Sequence, residues 1–121
     1  MKRIIPSDIY RELPCSVVAL GCAMGIDSPD ALQGLKSADL HSDGYLSLKA
    51  MEALIRANME VTDKLYFRRG LRVPLRDFAH ANEGRKCIIC LLGHYVYFDG
   101  HDYHSFFYNG GDMVVEAWYV R

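Results

Sequence analysis

The chain has 121 residues, half of them apolar, which suits one domain able to bury a core. A formal net charge of −1 excludes a globally basic nucleic-acid binder. No apolar run approaches the roughly 20 residues needed to span a bilayer, so no membrane partner is expected.

The start, Met1–Asp8, has two basic residues but neither a long apolar stretch nor a small-residue cleavage site. It does not read as a signal peptide, and a cytoplasmic protein with reduced thiols is expected. Pro14 suits the first turn of a helix, where the N–H it lacks has no intrahelical partner. The spacing predicts a helix from Cys15 to Met24, stopped by Gly25. Ser28-Pro29-Asp30 is a second start signal: a capping hydroxyl, a proline and an acid in the first turn. That helix should end near Lys36, ahead of the polar loop Ala38–Gly44. Ser47 caps a third helix, in which Leu48, Met51, Ile55 and Met59 recur at helical spacing as a buried stripe.

Leu65-Tyr66-Phe67 is a candidate strand, and Leu75–Ala81 a short helix closed by the turn Asn82-Glu83-Gly84. One long strand is expected from Lys86 to Phe98, meeting a hairpin turn at Asp99-Gly100. Tyr103–Tyr108 should return, Asn109-Gly110-Gly111 turn again, and Met113–Val120 form a third strand. Helices followed by an antiparallel meander predict an α+β fold, a single domain over 1–121 with its N-terminal helices packed on one side of a C-terminal antiparallel β-sheet.

Cys87 and Cys90 form a C-x-x-C, but residues three apart on a strand face opposite ways and do not easily share a metal. They read as small buried hydrophobes, as does Cys22 in mid-helix. Residues 64–86 hold Lys64, Arg68, Arg69, Arg72, Arg76, Arg85 and Lys86 against only Asp77 and Glu83. Such a block is a solvated face or a docking surface for an acidic partner.

A thiol is nucleophilic as its thiolate, and the unpaired N–H groups and positive potential of a helix start favour that form. Cys15 follows the helix-starting proline, where the effect is greatest. Thiol chemistry also needs an imidazole to take the proton and a third polar group to hold it. His94, in a strand behind Gly93, is the candidate base, and the glycine leaves room for another group to approach.

The order of these parts resembles the small bacterial and phage papain-like cysteine peptidases, akin to the domains that process bacteriocin leaders. The resemblance is carried by Pro14-Cys15-Ser16-Val17-Val18-Ala19-Leu20, by Leu75-Arg76-Asp77-Phe78-Ala79, by Gly93-His94-Tyr95-Val96-Tyr97-Phe98-Asp99-Gly100 and by Tyr103-His104-Ser105-Phe106. It implies a papain-like fold and a peptidase or amidase acting on a peptide or protein, with Cys15 as nucleophile and His94 as base. No cofactor or metal is implied. The family usually has an aspartate where His104 stands, and a neutral histidine orients the base without giving it a countercharge. Asp102 or Asp99 is the substitute, with Asp102 favoured, and replacing His104 by Asp is expected to raise activity. The family's glutamine ahead of the cysteine is missing as well. The backbone N–H of Cys15 would then form the oxyanion hole with Arg11, Tyr10 or Ser7 as a second donor.

Three other readings use the same residues. Both departures favour a catalytically inactive papain-like module that binds a partner protein. His94, Asp99, His101, Asp102 and His104 crowd one hairpin in a way that suits zinc or nickel, although His101 and His104 should face opposite ways on a regular strand. Tyr66 and Phe67 among arginines offer stacking and charge to a nucleic acid, but no nucleic-acid-binding motif accompanies them.

Overall fold

Nearly continuous apolar runs such as Cys87–Leu91 need cover on both faces. In the computed structural model, which describes residues 1–38 and 47–121, they build the middle of a six-stranded sheet. Its strands are β1 (Arg3–Ile4), β2 (Val61–Tyr66), β3 (Cys87–Leu91), β4 (His94–Phe98), β5 (Tyr103–His104) and β6 (Val114–Val120). They lie in the order β1-β5-β4-β3-β6-β2, antiparallel throughout except that β1 runs parallel to β5. The helices among the described residues are α1 (Cys15–Met24), α2 (Pro29–Ala38), α3 (Leu48–Asn58) and α4 (Leu75–Ala81). The fold is therefore mixed α and β.

Local signals set the helices. α1 begins after Pro14 and ends where Gly25 turns left-handed at φ 69°. Ser47 caps α3 by accepting the Ala50 N–H at 3.2 Å, and Met51, Leu54 and Ile55 form its buried stripe. α2 runs two residues past the expected end at Lys36; most of the polar loop expected after it lies outside the described residues. Gly21 lets α1 sit close to its neighbours, since a Cβ there would come within 2.6 Å of the Tyr10 ring and 2.8 Å of Leu32.

Four expectations are corrected. The expected single strand from Lys86 to Phe98 is a hairpin: Leu91 pairs with His94, and Gly93 turns the chain at φ 79°. A Cβ at Gly93 would meet nothing within 4 Å, so the glycine serves the turn and not a close approach to His94. The last three strands are not a meander. β6 is buried along its whole length, and it gains a neighbour on each edge by lying between β3 and β2. The expected return over Tyr103–Tyr108 is strand only at Tyr103–His104.

The helices do not all share one side. Alternation along the strands sends Ile88, Cys90, Tyr95, Tyr97 and Trp118 to the core shared with α1, α2 and α3. It sends Cys87, Ile89, Val96, Phe98 and Tyr119 to a second core, which α4 closes with Leu75, Phe78 and Ala79. Cys87 and Cys90 thus face opposite ways, both buried, and burial pushes the Cys87 thiol up to about 12. None of the four cysteines is in a disulfide. No helix among the described residues is long and apolar enough to cross a membrane.

Candidate active site

The chain enters α1 through a short 3-10 turn, Asp8–Tyr10, and then through Glu12 at φ 62°. Glu12 is the one non-glycine residue with a positive φ among the described residues, a conformation that persists only where its surroundings impose it. The kink delivers Leu13 and Pro14 so that Cys15 becomes the first residue of the ten-residue helix α1. Its thiol therefore lies where the helix dipole most favours an anion.

β4 and β5 pair only at Tyr97 with His104 and at Phe98 with Tyr103. Beyond those pairs the two segments diverge, and a cavity of about 120 Å³ is lined there by Cys15, His94, Tyr95, His104, Ser105 and Phe106, with Leu13, Val18 and Phe107 completing it. Cys15 and His94, the two residues singled out in the sequence, thus both line one small, mostly apolar cavity, and His104 lines it with them. Phe107, 64% exposed, stands edge-on to the His94 ring at 5.7 Å between centroids.

The group that holds His94 is Ser105. His94 Nε2 lies 3.3 Å from Ser105 Oγ. Ser105 is 2% exposed, donates to Asn109 Oδ1 at 2.7 Å and accepts the Phe107 N–H at 3.1 Å. Asn109 in turn donates its Nδ2 to Asp112 Oδ2 at 2.8 Å, which fixes the amide orientation. Since the one Ser105 proton goes to Asn109, the hydroxyl can only accept from the imidazole. His94 therefore carries its proton on Nε2 and keeps Nδ1 as its basic nitrogen. Burial lowers the His94 pKa below its ordinary value, opposed by the Asp112 charge, and so favours the neutral imidazole.

Neither residue expected as third member is the partner of His94 Nε2, although His104 lines the same cavity. His104 Nε2 pairs with Asp99 Oδ2 at 2.9 Å, under the tilted Tyr97 ring. Alternation explains this: His104 lies opposite Tyr97 and shares its face, whereas the next residue, Ser105, faces the other way. Asp102 accepts the Lys2 backbone N–H at 2.6 Å. Asp99 caps its own turn by accepting the N–H groups of His101 and Asp102. Burial pushes the Asp99 carboxyl up, but the Asp102 N–H, the His104 ring and the His101 N–H together hold it below the usual carboxylate range.

The oxyanion candidates separate similarly. Tyr10 is buried and donates its hydroxyl to the Ile26 carbonyl, just past the C-terminal end of α1 and away from Cys15 at its start, with its pKa raised to about 12 chiefly by burial. Arg11 is paired with Asp8 at 2.7 Å and lies 5.3 Å over the Phe106 ring, beside the cavity. Ser7 makes no capping bond to the turn it precedes. The backbone N–H of Cys15, at the helix start, is the donor nearest in sequence to the thiol. The basic segment 64–86 is dispersed: Lys64 pairs with Glu52 at 3.0 Å, Arg85 stacks on Tyr119 at 3.7 Å, and Arg76 reaches a separate cavity described below.

Sequence reasoning missed Ser105, Asn109 and Asp112. The available signal was a serine and an asparagine set in the aromatic run Ser105-Phe106-Phe107-Tyr108-Asn109, where each buried polar side chain needs a partner. Comparison of the chain with protein-family models, with curated proteins and with solved structures gave no match, and the papain-like resemblance rests on the sequence pattern alone.

Proposed function

We propose that this chain is a papain-like thiol hydrolase, a peptidase or amidase of the cytoplasm, with Cys15 as nucleophile and His94 as base and acid. The observation that carries the reading is that Cys15, the first residue of α1, and His94, whose Nε2 is tied to Ser105, line the same cavity of about 120 Å³. In the first step His94 Nδ1 takes the thiol proton while sulfur bonds to the substrate carbonyl carbon. The C–N bond then breaks, the proton passes to the leaving amine, and a thioester remains. A water molecule gives its proton to Nδ1 as its oxygen adds to the thioester carbon; the C–S bond then breaks, the acid leaves, and the sulfur takes the proton back from Nδ1. Ser105, Asn109 and Asp112 hold the imidazole in its Nε2–H form throughout. Four cysteines without a disulfide suit a reducing compartment.

The inactive, partner-binding module is the second reading. The His94 relay reaches a carboxylate only at Asp112, through two neutral side chains, and Tyr10 is turned away from the site. Alkylation separates the two. Under the hydrolase reading Cys15 reacts with iodoacetamide at about pH 6 faster than a free thiol does, and Cys15→Ala abolishes turnover with the fold intact. A Cys15 no faster than a free thiol favours the inactive module.

A further inference from the structure

The thiol cavity has two larger neighbours. It shares the lining residues Leu13, Phe106 and Phe107 with a cavity of about 650 Å³, which in turn shares Arg3 and Ile5 with another of about 600 Å³ lined also by Arg76. The two outer cavities are lined by four basic side chains, Lys2, Arg3, Arg11 and Arg76, and by a single acidic one, Glu12. Of the four, only Arg11 has an ion pair among the described residues, with Asp8, and both partners are mostly exposed. Arg3 is held firmly by contacts that leave its charge uncompensated: Nη1 donates to the Phe106 carbonyl at 2.7 Å, and the guanidinium lies 4.1 Å over the Tyr108 ring. Asp102 accepts the Lys2 backbone N–H at 2.6 Å, so one carboxylate stands beside this end of the groove.

The same groove runs along an open sheet edge. β1 is the outermost strand and pairs only with β5. The Lys2 and Ile4 carbonyls accept from Tyr103 and Ser105 at 3.1 and 3.0 Å, so alternation turns the Arg3 N–H and C=O outward. Exposed Ile5, Phe107 and Tyr108 supply apolar surface beside that edge. An extended peptide added there would find backbone partners, apolar contacts and cations together.

We infer that the groove beside β1 takes an extended, acidic polypeptide segment of the substrate and leads the reacting carbonyl to Cys15, an inference that rests on the hydrolase reading above. Its carboxylates meet Lys2, Arg3, Arg11 and Arg76, and its backbone pairs with the edge of β1. Binding is read on the Cys15→Ala protein by the anisotropy of a short fluorescent peptide alternating glutamate with valine. The peptide is expected to bind, its lysine-for-glutamate counterpart not to, and added salt to weaken the complex. Lys2→Glu with Arg76→Glu, two exposed side chains whose change leaves the fold alone, should cost about tenfold or more in affinity. N-methylation of alternate peptide nitrogens should cost as much. In the wild-type chain the bound peptide should slow alkylation of Cys15.

The inference is overturned if acidic and basic peptides bind alike, if the charge reversals leave affinity unchanged, or if the bound peptide does not shield Cys15. It is equally overturned if a short oligonucleotide displaces the peptide and binds more tightly. The two failures are distinguishable because binding and shielding are read without turnover. A chain that binds the peptide and shields Cys15 but cleaves nothing refutes the hydrolase reading alone. A chain with a reactive Cys15 that ignores acidic peptides refutes the groove alone.

Discussion

Ser105→Ala removes the hydroxyl on which the site converges. That hydroxyl serves His94 at 3.3 Å, Asn109 at 2.7 Å and the Phe107 N–H at 3.1 Å. Phe107 is 64% exposed, so its N–H can turn to water, whereas Asn109 is 5% exposed and keeps an acceptor with no donor. The stability cost is therefore concentrated at Asn109 Oδ1 and amounts to about 1–3 kcal/mol. The chemical cost is separate: without its acceptor the imidazole can rotate, and misplacing a reacting group by an ångström costs on the order of a hundredfold in rate. Urea denaturation measures the first, and the rate of Cys15 carboxamidomethylation against pH measures the second. The expected result is a weaker fold and a Cys15 profile moved toward that of an ordinary thiol. A profile superimposable on wild type, with stability changed by less than about 0.5 kcal/mol, would refute the assignment of Ser105 as the anchor of His94.

The remaining predictions concern charge. His104→Asp, which the sequence pattern suggested would restore a triad, should instead remove the imidazole that meets Asp99 at 2.9 Å and set a second carboxylate facing that acid. It should lower the urea midpoint by roughly 1 kcal/mol of stability without speeding Cys15 alkylation, and a faster thiol would return His104 to the third position. His94, with its pKa depressed below 6.5 by burial, takes up its proton more readily in the unfolded chain. Its contribution to stability is complete above pH 6.5 and is lost as pH falls through the folded value. Denaturation midpoints across that window should fall more steeply in wild type than in His94→Gln, and equal slopes would show that His94 is not buried as a neutral base.

Helix boundaries were legible because their causes are local: Pro14 and Gly25 bracket α1, Ser47 caps α3, and α4 matches its expected span at Leu75–Ala81. Sheet order was not, because nothing local to Val114–Val120 says which edges it will find. The apolar run on both faces of β3 needs cover on both sides, which the expectation of helices on one side overlooked and α4 supplies. At the site, Cys15 and His94 were visible as residue types in a suggestive order. Their third partner was not, because it depends on register. A shift of one residue exchanges the face of a side chain, and Tyr97 opposite His104 sends His104 to Asp99 and Ser105 to His94.

Under the hydrolase reading, that register also decides what kind of base His94 would be. A carboxylate on Nε2 would favour the imidazolium and, with it, a thiolate–imidazolium pair formed before substrate arrives. A serine hydroxyl that spends its proton on Asn109 accepts from Nε2 but brings no charge, and Asp112 acts only at a distance. Burial then outweighs that distant charge and favours the neutral imidazole. Under the hydrolase reading the helix start must then supply most of the bias toward thiolate, and His94 Nδ1 would take the proton as the thiol attacks. Ser105→Asp distinguishes these regimes, since it places the missing charge at the acceptor position that the structure identifies. The variant should raise the His94 pKa and move the onset of Cys15 alkylation to lower pH, at some cost in stability from burying a carboxylate beside Asn109 Oδ1. If the onset stays where it is in wild type, His94 does not govern the thiol, and the second imidazole of the cavity, His104 on Asp99, becomes the base to examine.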